Sequence, residues 1–392
     1  MNGFTYQVPT QVIFGKDTQA QAGQAVRAHG GSRVLVLYGG GSAVKSGLVA
    51  QVEESLRGEG LTFHTLGGVH PNPLLSFVQN AVDTLKGEGI DFVLAVGGGS
   101  VIDTAKAAAM GLARPEIPVW DYFTRKQPVT AALPVGAVLT IAAAGSETSD
   151  SAVLTDEATQ VKRGVNTPFN RPRFAIMNPE LTYTLPPRQT ACGVVDILMH
   201  TLDRYFAPDA DNATTDALAE AILRTTAEYG RRAMDDPRDY KARSELMWCG
   251  SLSHNNLTGL GQGRDFSVHA LGHELSAKFD IPHGESLSIM WPAWARYVWE
   301  TDPARFARLG RTVWGIDLAD DRQAALAAID ATEDYFRSLG MPVTFGEAMG
   351  VQEEAVIRDL AVRCTFGHTR KVGVFHPLEE EGLYQVYTAA NR

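Results

Sequence analysis

Cysteine is scarce in this chain: Cys192, Cys249 and Cys364 are the only three in 392 residues. So few, widely spaced thiols cannot build the disulfide framework of a small secreted domain, and they imply a reducing compartment. Long hydrophobic runs are also missing. The longest uncharged, apolar-leaning stretch, Leu133 to Gly145, contains Pro134 and Gly136 and falls short of the ~20 residues that span a bilayer. The opening MNGFTYQVPTQ has no basic region followed by an apolar one, so the expectation is a cytoplasmic protein with no secretory signal and no membrane partner. Positive charge is the minority sign, 35 Lys and Arg against 45 Asp and Glu, and the net charge is −10. With no basic block, such a chain repels a phosphate backbone, which argues against a nucleic-acid partner.

What is present is an ordinary globular composition, 44% hydrophobic and 20% charged, in a chain long enough for two or three domains. The first half alternates short apolar strands with helical periodicity. Phe4 to Phe14 reads as an extended hairpin or edge segment, and Arg33 to Tyr38, Leu61 to Leu66, Phe92 to Val96 and Val135 to Ile141 read as strands. Helical spacing fills the intervals, at Leu48 to Leu56, Phe77 to Lys86 and Val101 to Met110. That alternation predicts a parallel, Rossmann-like sheet covered by helices. Beyond Pro186-Pro187 the pattern turns almost wholly helical. The chain therefore divides into an α/β dinucleotide-binding domain, 1–185, and an all-α metal- and substrate-binding domain, 186–392.

Two strands end in Gly-Gly-Gly-Ser and run into helices: Gly39, Gly40, Gly41 and Ser42, then Gly97, Gly98, Gly99 and Ser100. Glycines let the backbone approach a phosphate, and the following helix offers free amides and a positive dipole end. Neither loop is a G-x-G-x-x-G fingerprint or a Walker A loop. A single GGGS is a plain tight turn about half the time; two at strand ends favour a dinucleotide. After the first strand no carboxylate stands ready for adenosine ribose hydroxyls, whereas Ser42 and Lys45 suit a 2′-phosphate. This favours NADP(H), against the plainer reading of Lys45 as a solvated surface lysine.

In the second half Asp196 and His200 are four apart, as are His269 and His273, and His283 follows in a Pro-His-Gly turn. Spacing of four puts paired side chains on one helix face, and a carboxylate with two or three imidazoles is a natural site for a divalent transition metal. A lone histidine is more often structural, but four of the ten histidines, His200, His269, His273 and His283, stand in these two pairs and the turn that follows. Spacing does not choose between His269 and His273. Asp203, seven after Asp196, reads as an alternative ligand, a supporting carboxylate or a surface group. His254 and the remaining histidines read as isolated and structural.

Taken together, GGGSVIDTAK (97–106), AAGSE (143–147), GVVDILMH (193–200) and H-x3-H followed by PHG (269–284) resemble the iron-containing, group III alcohol dehydrogenases, with their dehydroquinate synthase-like architecture. YGGGS (38–42), HPNP (70–73) and TYTLPPRQ (182–189) narrow the resemblance to the branch of NADPH-dependent butanol dehydrogenases and aldehyde reductases. The likeness runs along nearly the whole chain. It implies one divalent metal, Fe2+ or Zn2+, on Asp196, His200, His269 and His283, leaving His273 to line the substrate site. It implies cofactor contacts from Gly39, Gly40, Gly41, Ser42, Asn72, Gly98, Gly99, Ser100, Asp103, Thr140, Lys162 and Leu181. It also implies a homodimer formed through Phe4 to Phe14. Where the family has Thr before Gly-Ser-Glu this chain has Ala144, which removes one hydroxyl.

The chemistry that follows is hydride transfer between NADP(H) and a small aldehyde or primary alcohol, with the metal polarising the oxygen and His273 a candidate proton relay. Trp248, Phe266, Trp291 and Phe366 are candidate apolar walls. Rival readings are a lyase of the dehydroquinate synthase type, which also uses a nucleotide and a metal, a metal-dependent hydrolase whose glycine loops are only turns, and a catalytically silent binding protein.

Overall fold

The structure is a computed structural model that describes residues 1–208 and 212–392. The chain forms two compact units: Gln7–Leu185, and Pro186–Arg392 together with Met1–Tyr6.

The first unit carries strands β1 (Gln11–Phe14), β2 (Arg33–Tyr38), β3 (Thr62–Leu66), β4 (Phe92–Gly97), β5 (Val135–Leu139), β6 (Ser151–Asp156), β7 (Val161–Asn166) and β8 (Phe174–Met177). Six of them form one sheet in the order β1-β8-β5-β4-β2-β3, with every pair parallel. The helices of this unit are α1 (Ala22–Ala28), α2 (Ser42–Lys45), α3 (Leu48–Gly58), α4 (Leu75–Leu85), α5 (Gly99–Ala113) and α6 (Val119–Phe123). β2, β4 and β5 are near-continuous apolar runs because helices cover both their faces; Val34, Val36, Leu94, Val96 and Val138 are all fully buried in one core cluster.

The strand order has a functional consequence. The chain leaves β2 toward β3 on one side, and leaves β4 toward β5 on the other. β2 and β4 are hydrogen-bonded neighbours, so the topology switches between them. In open parallel sheets ligands bind outside the carboxyl ends of the strands at that point. Both glycine loops stand there.

Of the two readings of Phe4–Phe14, the hairpin does not form and the edge segment holds in part. Only Gln11–Phe14 is a strand, paired parallel with β8 at the sheet edge. The expected first boundary differs too, because Met1–Tyr6 groups with the helical unit. The Asn2 amide donates to the Gly261 carbonyl at 2.9 Å, and Met1 lies so close over Gly261 that a Cβ there would come within 2.7 Å of it. The antiparallel pair β6–β7 was not legible: its strands are only partly buried, so apolar alternation is weak.

The second unit carries α7 (Pro187–Tyr205), α8 (Ala213–Asp235), α9 (Tyr240–His254), α10 (Ser267–Phe279), α11 (His283–Val298), α12 (Pro303–Val313), α13 (Asp321–Ser338), α14 (Phe345–Ala348), α15 (Glu354–Cys364) and α16 (Glu380–Ala390). Local rules place several starts. Proline opens α7 and α12, where its missing N–H costs nothing. Asn212, Asp239, Asp302 and Asp320 each accept a first-turn amide, ending the chain's freedom at α8, α9, α12 and α13. Among the described residues no helix is long and apolar enough to cross a membrane.

Candidate metal centre and nucleotide loops

α7 presents Asp196, His200 and Asp203 at i, i+4 and i+7, one face of a helix whose inner residues are buried. α10 contributes His269 and α11 begins at His283. Two glycines let these helices close up. A Cβ on Gly284 would stand 2.5 Å from the Cys192 carbonyl of α7, and one on Gly272 would stand 2.8 Å from Ser286 Oγ of α11. A side chain at Gly284 would therefore collide with the α7 backbone, and one at Gly272 would force the Ser286 side chain aside.

The result is a knot of donor atoms. One atom each of Asp196, His200 and His269 lies within 4.8 Å of the others, and all three residues are buried. From Asp196 Oδ1 the distances are 3.2 Å to His200 Nδ1, 3.7 Å to His269 Nε2 and 3.8 Å to His283 Nε2. Ligands held ~2.0–2.2 Å from a tetrahedral ion stand about 3.4 Å apart, so the observed spacings bracket what a divalent metal requires. Asp196 Oδ1, His200 Nδ1 and His269 Nε2 are each sealed from solvent without a hydrogen-bond partner. Three such atoms together are costly unless a cation satisfies them. The donor set fits a metal.

Electrostatics agree. Burial, aided by the positive neighbours His254, His269 and Arg204, pushes the His200 imidazole well below the usual histidine range, which keeps it in the neutral ligating form. His269 is also pulled down by burial, but Asp196 and Asp203 outweigh this and hold it above its ordinary value. Cys192, one turn before Asp196, is pushed up to about 12, chiefly by burial, so it stays a thiol.

Several features were not legible in the sequence. Of the readings the sequence left open for Asp203, the surface group is excluded: it is 1% exposed, and its Oδ2 accepts the His269 Nδ1 proton at 2.6 Å. His254 is not isolated: its ring stands edge-on to His200 with centroids 3.9 Å apart. Phe266, in the left-handed region at φ 58°, packs between His269 and the Arg204 guanidinium. His273 joins the same run of rings, 5.4 Å from His283. Of the other suggested pocket walls, Trp291 is core, packed on Phe336, Trp248 is 41% exposed, and Phe366 lies under Arg370.

The loops of the α/β unit are equally specific. Gly97, Gly98 and Gly99 would each bring a Cβ within 3.0 Å of Val101, Ile141 and Ala144 respectively, so the close approach of this loop requires glycine. Ser100 Oγ donates to the Pro71 carbonyl, the Thr140 amide donates to the Gly97 carbonyl at 3.1 Å, and Lys162 Nζ donates to Asn72 Oδ1 at 3.1 Å. Residues 70–73, 97–100, 140 and 162 are thereby tied together at the strand ends. Asp103 is held by Ser146 Oγ and the Val153 amide, and Leu181 packs on the sheet core. Lys106, which sequence reasoning passed over, is fully buried and donates to the Ser146, Ser149 and Ser151 carbonyls; burial lowers it to about 8. In the first loop Gly40, Gly41, Ser42 and Lys45 are exposed, and Gly39 and Tyr38 accept the amides of Gly68 and Val69.

Comparisons with known proteins agree over the full length. The family model for iron-containing alcohol dehydrogenase matches residues 9–179, and its C-terminal companion matches 190–391. The NADH-dependent butanol dehydrogenase A of Clostridium acetobutylicum is 38% identical over 390 residues, 99% of each chain. The NADPH-dependent aldehyde reductase YqhD of Escherichia coli is 38% identical over 344 residues, 87% of this chain and 88% of that one. The crystal structure of NADH-dependent butanol dehydrogenase A from Thermotoga maritima superposes with a TM-score of 0.96 at 35% identity, covering 100% of this chain and 99% of that one.

Proposed function

This chain belongs to the iron-containing alcohol dehydrogenase family, pyridine-nucleotide-dependent oxidoreductases of alcohols and aldehydes, and on that footing we propose that it interconverts small aldehydes and primary alcohols with NADP(H) and iron(II). The observation that carries the metal reading is the buried trio of donor atoms on Asp196, His200 and His269, with His283 as fourth ligand.

A divalent metal there supplies Lewis-acid polarisation of the carbonyl oxygen, and the nicotinamide supplies the hydride. The protein's own part is to hold and orient. Asp196 sets one negative charge among neutral imidazoles, which balances a divalent cation incompletely and leaves it electrophilic. His273, one turn beyond His269, holds on a ring nitrogen the proton that the product oxygen takes up. The amides at the start of α5 and the Gly97–Ser100 loop take the pyrophosphate, with Asn72, Asp103, Thr140, Lys162 and Leu181 shaping the rest of the nucleotide site.

The coenzyme choice rests on the first loop, since the relatives include enzymes named for NADH and one named for NADPH. Ser42 and Lys45 are exposed and suit a 2′-phosphate, and the loop 39–45 itself holds no carboxylate. The edge position of β1, with Phe14 39% exposed, and the 51% exposed Phe4 that precedes it support a homodimer formed through this segment; a monomeric mass by light scattering at micromolar concentration would overturn it. Three free thiols accord with the cytoplasm.

The direct test is to strip the protein with a chelator, restore single metals, and follow NADPH or NADH consumption with a short-chain aldehyde. Fe2+ is expected to restore activity, with stoichiometric coenzyme oxidation, faster with NADPH. Full activity in stripped protein would defeat the metal reading, and catalytic recycling of the coenzyme would favour the lyase. A second arm uses Gly40→Asp. A Cβ at Gly40 meets nothing within 4 Å, so the substitution adds charge without a clash, and the NADPH-to-NADH preference should fall by about tenfold, the ~1.4 kcal/mol of one close like-charge contact in water. An unchanged ratio would remove Ser42 and Lys45 from the argument.

A further inference from the structure

We propose that Asp203 is a positioning residue for the metal centre: its carboxylate fixes His269 with the proton on Nδ1 and the Nε2 lone pair aimed at Asp196 and His200. This rests on the metal reading above and adds a residue to it.

The geometry is specific. Asp203 Oδ2 receives two hydrogen bonds from one residue, the ring Nδ1–H of His269 at 2.6 Å and its main-chain N–H at 3.3 Å. His269 is the third residue of α10, whose N-cap Phe266 offers no side-chain oxygen, so its amide is one of those a helix start leaves unpaired. Asp203, from the facing α7, satisfies that amide and the ring with a single oxygen. Position and orientation of the imidazole are thus set together. Both side chains are buried, 1% exposed for Asp203 and 6% for His269, which strengthens the contact by excluding water.

Asp265 does not share the task. Its own carboxylate accepts the amides of Ser267, Val374 and Phe375, and its amide donates to the Asp203 main-chain carbonyl. Asp203 in turn lies three residues after His200 and seven after Asp196 on one helix face. One helix therefore supplies two ligands and the carboxylate that orients a third. An imidazole whose second nitrogen is bonded to a carboxylate is locked in one tautomer and is a stronger donor, and loss of such a partner commonly weakens metal binding 10–100-fold.

The experiment uses the full-length protein freed of metal and titrated anaerobically with Co2+ as a spectroscopic probe, comparing wild type, Asp203→Asn and Asp203→Ala. Asparagine keeps the shape and an acceptor for the amide but removes the charge; alanine removes both. The Co2+ dissociation constant from chelator competition should rise about 10–100-fold in Asp203→Asn, with shifted visible bands, while the coenzyme dissociation constant stays at the wild-type value. A helix-capping role alone predicts lower thermal stability of the metal-free variants with an unaltered Co2+ spectrum and affinity, and that result would overturn the proposal. If Asp203→Ala does not fold, Asp203→Asn decides. Should wild type itself take up no Co2+, the metal reading fails first, an outcome distinct from wild type and variants binding equally.

Discussion

His269→Ala will lower kcat for aldehyde reduction by about 10³-fold or more while leaving coenzyme affinity unchanged. The magnitude follows from the several kcal/mol that a Lewis acid contributes at a polarised carbonyl, where each ~1.4 kcal/mol is tenfold in rate. His269 contributes Nε2 to the buried trio, and its loss also leaves the Asp203 carboxylate buried without its main ring partner. The glycine loops proposed to hold the coenzyme belong to the other compact unit. Steady-state kinetics, metal content and coenzyme fluorescence titration check the three parts separately. A variant with normal turnover and one equivalent of bound metal would show that His269 is not a ligand.

Arg305→Met should produce the largest loss of stability. Arg305 is 4% exposed. It grips both carboxylate oxygens of Asp216 at 2.6 Å, donates twice to the Tyr205 carbonyl at 3.0 and 2.7 Å, and stacks 3.6 Å over the Tyr205 ring. Tyr205 is the last residue of α7, so this guanidinium ties down the end of the helix that carries Asp196, His200 and Asp203. Methionine keeps the apolar volume but leaves Asp216 buried, with only the part-exposed Arg308 at 3.3 Å in compensation. Breaking one side of such a pair costs about 3–5 kcal/mol, on the order of 10 °C in the melting midpoint. Replacing Asp216 with leucine in the same molecule should recover part of the loss, because the stranded charge is then gone. A midpoint within about 2 °C of wild type would mean that Arg308 alone compensates Asp216.

His269 and Arg305 were not equally visible in the sequence. His269 was legible as half of an i, i+4 pair beside a Pro-His-Gly turn, although spacing could not separate it from His273; the resemblance to a family chose between them, and the structure places His269 Nε2, with His200 Nδ1, around Asp196. Arg305 and Asp216 carried no signal, since a buried ion pair between α8 and α12 has no local pattern. The same holds for Lys106, hidden inside an alanine-rich helix, and for His254, which looked solitary because its partner His200 is far away in the sequence.

The sequence by itself determined what depends on neighbours along the chain. Apolar runs closing in glycine marked β2 and β4 and their loops, proline and Asn or Asp marked helix starts, and 3.6-residue spacing put Asp196, His200 and Asp203 on one face. These are short-range rules of backbone sterics and periodicity, and they act before any packing. Tertiary structure alone decided that β2 and β4 lie side by side at the switch point, that Gly284 lets α11 close on α7 and Gly272 lets α10 close on α11, and that Asp203 turns inward to hold His269. Those outcomes follow from which surfaces exclude water together and how closely two backbones can approach, and neither quantity is a property of any single segment.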